Sequence, residues 1–115
     1  MTKFSLTLSA TLLAASALFA APAAAEEMAY TITLTDGVVA PAELTVPAGE
    51  AFTITVTNTG ETPAEFESHS LHIEEILAPG ATATFDIKGL AEGSYKFVEE
   101  FHEDQSTARG VILAE

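Results

Sequence analysis

The strongest constraint on the fold is a strict alternation of apolar residues and threonine over residues 30–35 and 52–57. Successive side chains of a β-strand point to opposite faces, so this pattern predicts strands with one buried and one exposed face. Turn-forming pairs such as Asp36-Gly37 separate the apolar runs. Five further segments have the length and composition of strands: 42–46, 69–76, 81–87, 94–98 and 110–113.

Seven short strands without a helical period indicate an all-β domain, either a sandwich or a small barrel. Two segments, 61–68 and 99–109, are predicted to be irregular loops. Both are rich in carboxylates, and each has a histidine in it or beside it. Because long loops in a compact β domain commonly carry function, we expect the site there.

The N-terminal segment has the three parts of an export signal. A lysine lies near its start, an apolar run spans 4–19, and three alanines end it. A retained membrane anchor is the alternative, but Pro22 interrupts the uncharged run and no stop-transfer flank follows. We therefore predict a signal peptide over 1–25, a single domain over 26–115, and a periplasmic protein with no membrane insertion after cleavage.

The charge balance excludes some partners. Cleavage would leave three cationic residues against all 17 acidic residues, a formal charge of −14. Such a charge repels nucleic acid, so no nucleic-acid partner is expected. The same field attracts cations and basic protein surfaces. The sequence has no cysteine, which excludes disulfides and thiolate chemistry.

The order of motifs along the chain resembles that of the cupredoxin family. The resemblance rests on an asparagine-ended strand, a first histidine, a Y-x-F strand, a second histidine and a closing G-x-I strand. It implies a Greek-key β-sandwich of seven to eight short strands, with metal ligands at the two histidines. The matching segments are Phe52–Asn58, Ser68–Leu71, Tyr95–Phe97, His102 and Arg109–Ile112.

The chain departs from the blue-copper members of this family. They carry a cysteine four residues after the tyrosine, where this chain has Glu99. They also carry a methionine after the second histidine, and the segment 103–108 contains none. Because a blue-copper site needs a thiolate, the chain is not expected to be an ordinary blue-copper electron carrier.

A shorter motif resembles one branch of the family. Glu65-Phe66-Glu67, with Ala78-Pro79-Gly80 downstream, is similar to the EfeO-type cupredoxin-like proteins, which include the small periplasmic cupredoxin of bacterial ferrous-iron uptake systems. This resemblance implies an accessory protein of iron uptake, with a membrane iron permease and another periplasmic metal protein as partners. It implies no independent enzyme, beyond an Fe(II) oxidation step during uptake.

The predicted ligands lie in the two acidic loops. If residues 65–69 are extended, the side chains at 65, 67 and 69 share a face with Leu71 and Ile73, so we expect them on the buried side. His72 has the opposite parity and is expected at the surface. Imidazole and carboxylate suit Cu(II), iron, zinc or manganese, and we predict copper(II) and/or iron. The predicted metal ligands are His69, His102, Glu65, Glu67, Glu99 and Glu100.

Two other functions remain open from the sequence. One is a metal-free acidic module that docks a basic partner, and the other is a copper-sequestering protein that uses the same ligands. A hydrolase is remote, because no nucleophile elbow or spaced triad accompanies the serines. In the metal-free case, salt would weaken association strongly and the histidines would matter little.

Overall fold

The computed structural model describes residues 2–3, 14–17 and 27–115 of the chain. The predicted cleavage site, and the predicted signal peptide apart from six of its residues, lie outside the described residues. Among the described residues, no helix is long and apolar enough to cross a membrane.

Residues 27–115 form nine strands in two sheets. One sheet has four strands in the order β2-β1-β4-β7, and the other has five in the order β3-β9-β8-β5-β6. Two short 3-10 helices, Glu100–His102 and Ser106–Ala108, lie between β8 and β9. The strands are β1 Met28–Thr35, β2 Val38–Ala40, β3 Glu43–Val46, β4 Phe52–Asn58, β5 Ala64–Ser68, β6 Ile73–Leu77, β7 Thr82–Ile87, β8 Gly93–Glu99 and β9 Arg109–Ala114.

The core lies between the two sheets, as the alternating pattern predicts. In β4, Phe52, Ile54 and Val56 are buried, while the threonines between them are only partly covered. On the outer side, threonine hydroxyls pair across strands, for example Thr57 with Thr82 at 3.0 Å. Burial of the apolar residues drives this packing, and the hydroxyl pairs support the exposed face. The predicted all-β sandwich is confirmed.

The strand prediction missed β2. The chain reverses between β1 and β2 at Asp36 and Gly37, which both have positive φ, at 45° and 87°. A two-residue loop of this kind matches the twist of paired strands, and glycine adopts its second position without strain. The pair therefore closes a hairpin whose second strand has only three residues.

The strand prediction was also wrong at residues 61–76. Residues 64–68, predicted as loop, form β5, which lies between β8 and β6. The predicted strand over 69–76 is shorter in the structure, because its first four residues form a turn. In this turn the His72 N–H donates to the His69 carbonyl at 3.2 Å. The strand of this region, β6, begins at Ile73. The acidic motif therefore lies on a strand paired on both sides.

Candidate metal centre

The two faces of β5 have different chemistry. Phe66 is fully buried in the core, and Ala64 and Ser68, which share its face, are also buried. Since side chains alternate along a strand, Glu65 and Glu67 lie on the opposite, outer face of the five-stranded sheet. The expectation that they face the buried side is therefore wrong. The single aromatic residue of the motif takes the core position, because burying it is favourable and burying two carboxylates is costly.

Three carboxylates meet on this outer face. Glu65, Glu67 and Glu100 each offer an oxygen, and these oxygens lie within 4.8 Å of one another. Strand register explains the approach: Phe66 pairs with Glu99 across β5 and β8, so the residue after β8 comes beside β5. We call Glu65, Glu67 and Glu100 the acidic cluster. It joins the two acidic segments that the sequence singles out.

The carboxyl groups of the acidic cluster shift one another's pKa values. A hydrogen bond with Glu100, together with burial and repulsion from Glu100 and Glu74, raises the pKa of Glu65 to about 7. The same hydrogen bonding and burial raise the pKa of Glu67. The hydrogen bonds that Glu100 receives from both partners lower its own pKa. Of the three carboxyl groups, Glu100 therefore loses its proton most readily.

His69 lies at the edge of the acidic cluster. Its Nε2 is 3.0 Å from Glu67 Oε1, and its side chain is 94% exposed. An electrostatic contribution from His69 also helps lower the pKa of Glu100. An exposed imidazole beside one buried and two partly buried carboxylates can turn toward a bound cation at little cost.

Glu99 and His102 pair with each other. Glu99 is 1% exposed, and its Oε2 accepts a hydrogen bond from His102 Nδ1. Its other oxygen accepts the N–H of Glu65 and the N–H of Phe101, each at 3.0 Å. The carboxylate of Glu99 thus uses both oxygens within the protein. The predicted ligand roles of Glu99 and His102 stay predictions, and the described geometry does not place either residue in the acidic cluster.

His72 is exposed, as the sequence predicts, but the parity argument behind that prediction does not hold. Because residues 69–72 form a turn, strand parity does not apply there, and His72 adopts a φ of 56°. A pocket of about 260 Å³ is lined by His72 together with His69, Glu67 and Glu74. His72 therefore lies on the same side as the candidate ligands.

The sequence analysis did not single out Glu74. It stands directly opposite Glu67 on β6, and its charge contributes to the raised pKa values of Glu65 and Glu67. Strand pairing could have revealed it, since residues facing each other across two antiparallel strands share a face. This inference about Glu74 requires that residues 64–68 are first predicted to be a strand.

The arrangement can hold a divalent cation. Three carboxylates and a nearby imidazole offer oxygen and nitrogen donors of the kind that Cu(II), iron, zinc and manganese accept. A cation would displace protons from the carboxyl groups with raised pKa and relieve the repulsion among the carboxylates, so binding should release protons and stabilise the fold.

Two sheets packed face to face, with this strand order, place the protein among the cupredoxin β-sandwiches. Solved structures support this class. A purple cupredoxin from Nitrosopumilus maritimus is 22% identical, with a TM-score of 0.56, and the match covers 75% of this chain and 99% of that one. An auracyanin from Roseiflexus castenholzii is 16% identical, with a TM-score of 0.62, and the match covers 77% of this chain and 98% of that one. The blue copper protein auracyanin A from Chloroflexus aurantiacus is 12% identical, with a TM-score of 0.64, and the match covers 78% of this chain and 100% of that one.

The chain belongs to the family described as Cupredoxin-like domain, whose sequence model matches residues 7–114. A curated relative, the uncharacterized protein RP394 of Rickettsia prowazekii (strain Madrid E), is 34% identical over 82 residues, which are 71% of this chain. The matched region spans 64% of the length of that relative. The predicted cupredoxin resemblance is confirmed at the level of this family.

The blue-copper centre implied by the fold does not fit this chain. Its thiolate ligand is missing, since the sequence has no cysteine. The residue at that position, Glu99, is buried and has both oxygens occupied by Glu65, Phe101 and His102. The candidate metal centre of this chain is therefore the acidic cluster, on the outer face of the sheet.

Proposed function

We propose that this chain is a periplasmic metal-binding cupredoxin-like protein that holds Cu(II) or an iron ion at the acidic cluster. The observation that carries the proposal is the meeting of Glu65, Glu67 and Glu100 within 4.8 Å, with the pKa of Glu65 raised to about 7. Repulsion of this kind is relieved when a cation binds. His69, at 3.0 Å from Glu67, supplies the nitrogen donor.

The choice of ion follows from the donors. Imidazole with carboxylates binds Cu(II) most tightly among the common divalent ions, while availability and geometry can give such a site to iron. Copper sequestration without redox work uses the same ligands and differs only in what receives the ion. Copper sequestration and iron uptake are therefore distinguished by which metal is bound and by which protein receives the ion or the electron.

A role in iron uptake is the finer part of the proposal. It is supported by the Glu65-Phe66-Glu67 motif, which resembles that of EfeO-type proteins, and by the predicted export signal. The protein would pass an ion to a membrane iron permease, or would oxidise Fe(II) to Fe(III) as its Cu(II) is reduced to Cu(I). A second periplasmic metal protein would then take the electron from Cu(I).

An acidic docking module is the second candidate. Two large apolar side chains flank the acidic cluster and are exposed: Ile76, which pairs with Glu65 across β5 and β6, and Phe101, which follows Glu100. Apolar residues beside carboxylates suit the surface of a basic partner. In this role the acidic cluster binds cationic side chains, and a metal ion is not needed.

Metal analysis separates the two candidates. The protein is isolated from periplasm without chelator, and its copper, iron, zinc and manganese are measured beside those of Glu67→Gln and of Glu75→Gln. Glu75 lies on β6 opposite Phe66, on the other face of the sheet from the acidic cluster, and serves as the control. We expect metal in the wild type and in the control and little in Glu67→Gln. If the wild-type protein contains no metal, the acidic docking module is the better account.

A further inference from the structure

A groove of about 460 Å³ runs along the outer face of the five-stranded sheet beside the acidic cluster. Glu67 and His69 lie at one side of it, and Lys96 and Arg109 also line it. Its volume falls in the range of sites for small organic molecules. Glu67 belongs both to the groove and to the acidic cluster, so a ligand in the groove would lie next to a cation on that cluster.

Cationic residues are concentrated in this groove. Residues 27–115 contain three of them, Lys88, Lys96 and Arg109, and two line the groove. Strand register places them on one face: Lys96 pairs with Val111 and Val98 pairs with Arg109, so the two cations are diagonal neighbours across β8 and β9. Two neighbouring positive charges stand out in the segment 26–115, which has 17 acidic residues and only three lysine or arginine residues.

Neither cation is neutralised by a carboxylate within the described residues. The ion pairs there are His69 with Glu67 and His102 with Glu99. Arg109 donates one hydrogen bond, of 3.0 Å, to the main-chain carbonyl of Glu103, which also lines the groove, and this leaves other guanidinium donors free of carboxylates. The groove therefore presents an ammonium and a guanidinium that have no carboxylate partner among the described residues.

We propose that the groove binds the organic carboxylate of a metal–carboxylate complex. The carboxylate accepts hydrogen bonds from Lys96 and Arg109, and the metal end lies on the acidic cluster and His69. Arginine suits a carboxylate because its planar fork can donate two parallel hydrogen bonds, and lysine adds a point charge. The hydroxyls of Ser70 and Ser94, at the groove lining, offer further donors.

Charge complementarity favours this ligand over a bare anion or a bare cation. A free carboxylate would be repelled by Glu67 at one side of the groove, and a free cation would be repelled by Lys96 and Arg109 at the other. A complex with both charges satisfies both sides. The two components should therefore bind cooperatively, each strengthening the other by the same factor.

The test uses Cu(II) and succinate, a weak dicarboxylate ligand. Titration calorimetry gives the Kd of Cu(II) for the wild type, with and without saturating succinate. The variants are Lys96→Gln and, as a control, Lys88→Gln, which removes the one cation of residues 27–115 that does not line the groove. Uncharged succinamide replaces succinate as the control ligand. The proposal rests on the proposed metal site, which the titration with Cu(II) alone tests separately.

We expect succinate to tighten Cu(II) binding to the wild type and to Lys88→Gln about tenfold, which is the scale of one charge-assisted hydrogen bond. Lys96→Gln should bind Cu(II) alone at least as tightly as the wild type does, because one repelling charge is removed, and it should lose the effect of succinate. Succinamide should have no effect. If Cu(II) binds but succinate changes nothing, or acts equally on Lys96→Gln, the groove proposal is overturned and the metal site stands. If Cu(II) alone does not bind, both fail.

Discussion

The Glu99 carboxylate accepts a hydrogen bond of 3.0 Å from the main-chain N–H of Glu65, 34 positions earlier in the chain. The same oxygen accepts the N–H of Phe101, and the other oxygen binds His102. Glu99 thereby ties the start of β5 to the 3-10 helix that carries Glu100. Two members of the acidic cluster are held in place by a carboxylate that is not itself in the cluster.

Replacing Glu99 should cost stability. Glu99→Ala leaves one buried and one partly buried N–H group without an acceptor, and the loss of an acceptor for a buried group costs about 1–3 kcal/mol. We expect the free energy of unfolding, measured by urea denaturation, to fall by about 2–4 kcal/mol. Glu99→Gln keeps one side-chain oxygen as an acceptor and should cost less than Glu99→Ala. Equal losses in the two variants would show that the hydrogen bonds of this oxygen are not what stabilises the region.

The metal-free protein should lose stability as pH rises from 4.5 to about 7. The pKa of Glu65 is about 7 in the folded state and is taken as 4.5 when unfolded, so the folded state binds more protons within this window. Since the state that binds more protons is favoured at low pH, the free energy of unfolding falls as pH rises. Glu67, whose pKa is also raised, acts in the same direction.

Glu65→Gln tests this linkage, because glutamine does not titrate. We expect urea denaturation of the chelator-treated variant to show a flatter dependence on pH across the window than the wild type shows. Glu75→Gln, on the other face of β6, should keep the wild-type slope. A wild type whose stability rises between pH 4.5 and 7 would contradict the raised pKa values within the acidic cluster.

The two histidines should respond differently to metal. Binding to the folded state raises Tm, and removing a ligand reduces that rise. We expect His69→Ala to show a much smaller Cu(II)-induced shift in Tm than the wild type. His102→Ala should start from a lower Tm, since Glu99 loses its partner, and should keep most of the shift. Equal losses of the shift would support the single site shared by both histidines that the sequence predicts.

Copper-loaded protein should be nearly colourless. The intense band of blue-copper sites, at about 600 nm, comes from charge transfer between sulfur and copper, and carboxylate with imidazole provides no sulfur. We expect only the weak visible absorption of an oxygen- and nitrogen-ligated Cu(II) ion. The measurement is a visible spectrum of the Cu(II)-titrated wild type, and an intense blue band would contradict the ligand set.

Much of the fold could be predicted from the sequence. The alternation of residues 52–57 places Phe52, Ile54 and Val56 in the core, and all three are buried there. The segment 64–68 was not predicted to be a strand, because its core-facing side has only one large apolar residue, Phe66, between an alanine and a serine. Its alternation is present but weak, and two glutamates mask it. Only pairing with β6 and β8 shows that this segment is a strand.

The candidate site could be predicted in part. Glu65, Glu67 and Glu100 were among the predicted ligands, and the structure brings these three together. Which of the neighbours Glu99 and Glu100 joins them depends on the register between β5 and β8, which local sequence does not encode. The face of the sheet was predicted wrongly for a different reason: parity was counted from Leu71 and Ile73, and the turn at residues 69–72 separates them from β5.

The most direct test of the account is the affinity of the acidic cluster for Cu(II), measured by titration calorimetry without added carboxylate. The comparison is between the wild type, Glu100→Gln and Glu75→Gln. Glu100 is the member of the cluster whose pKa is lowered, and Glu75 lies on the other face of the sheet. We expect Glu100→Gln to bind Cu(II) at least about 10–100-fold more weakly. Replacing a residue that only hydrogen-bonds to a metal ligand already weakens affinity by this factor, and Glu100 is a proposed ligand itself. Equal Kd values in all three proteins would contradict a metal site at Glu65, Glu67 and Glu100.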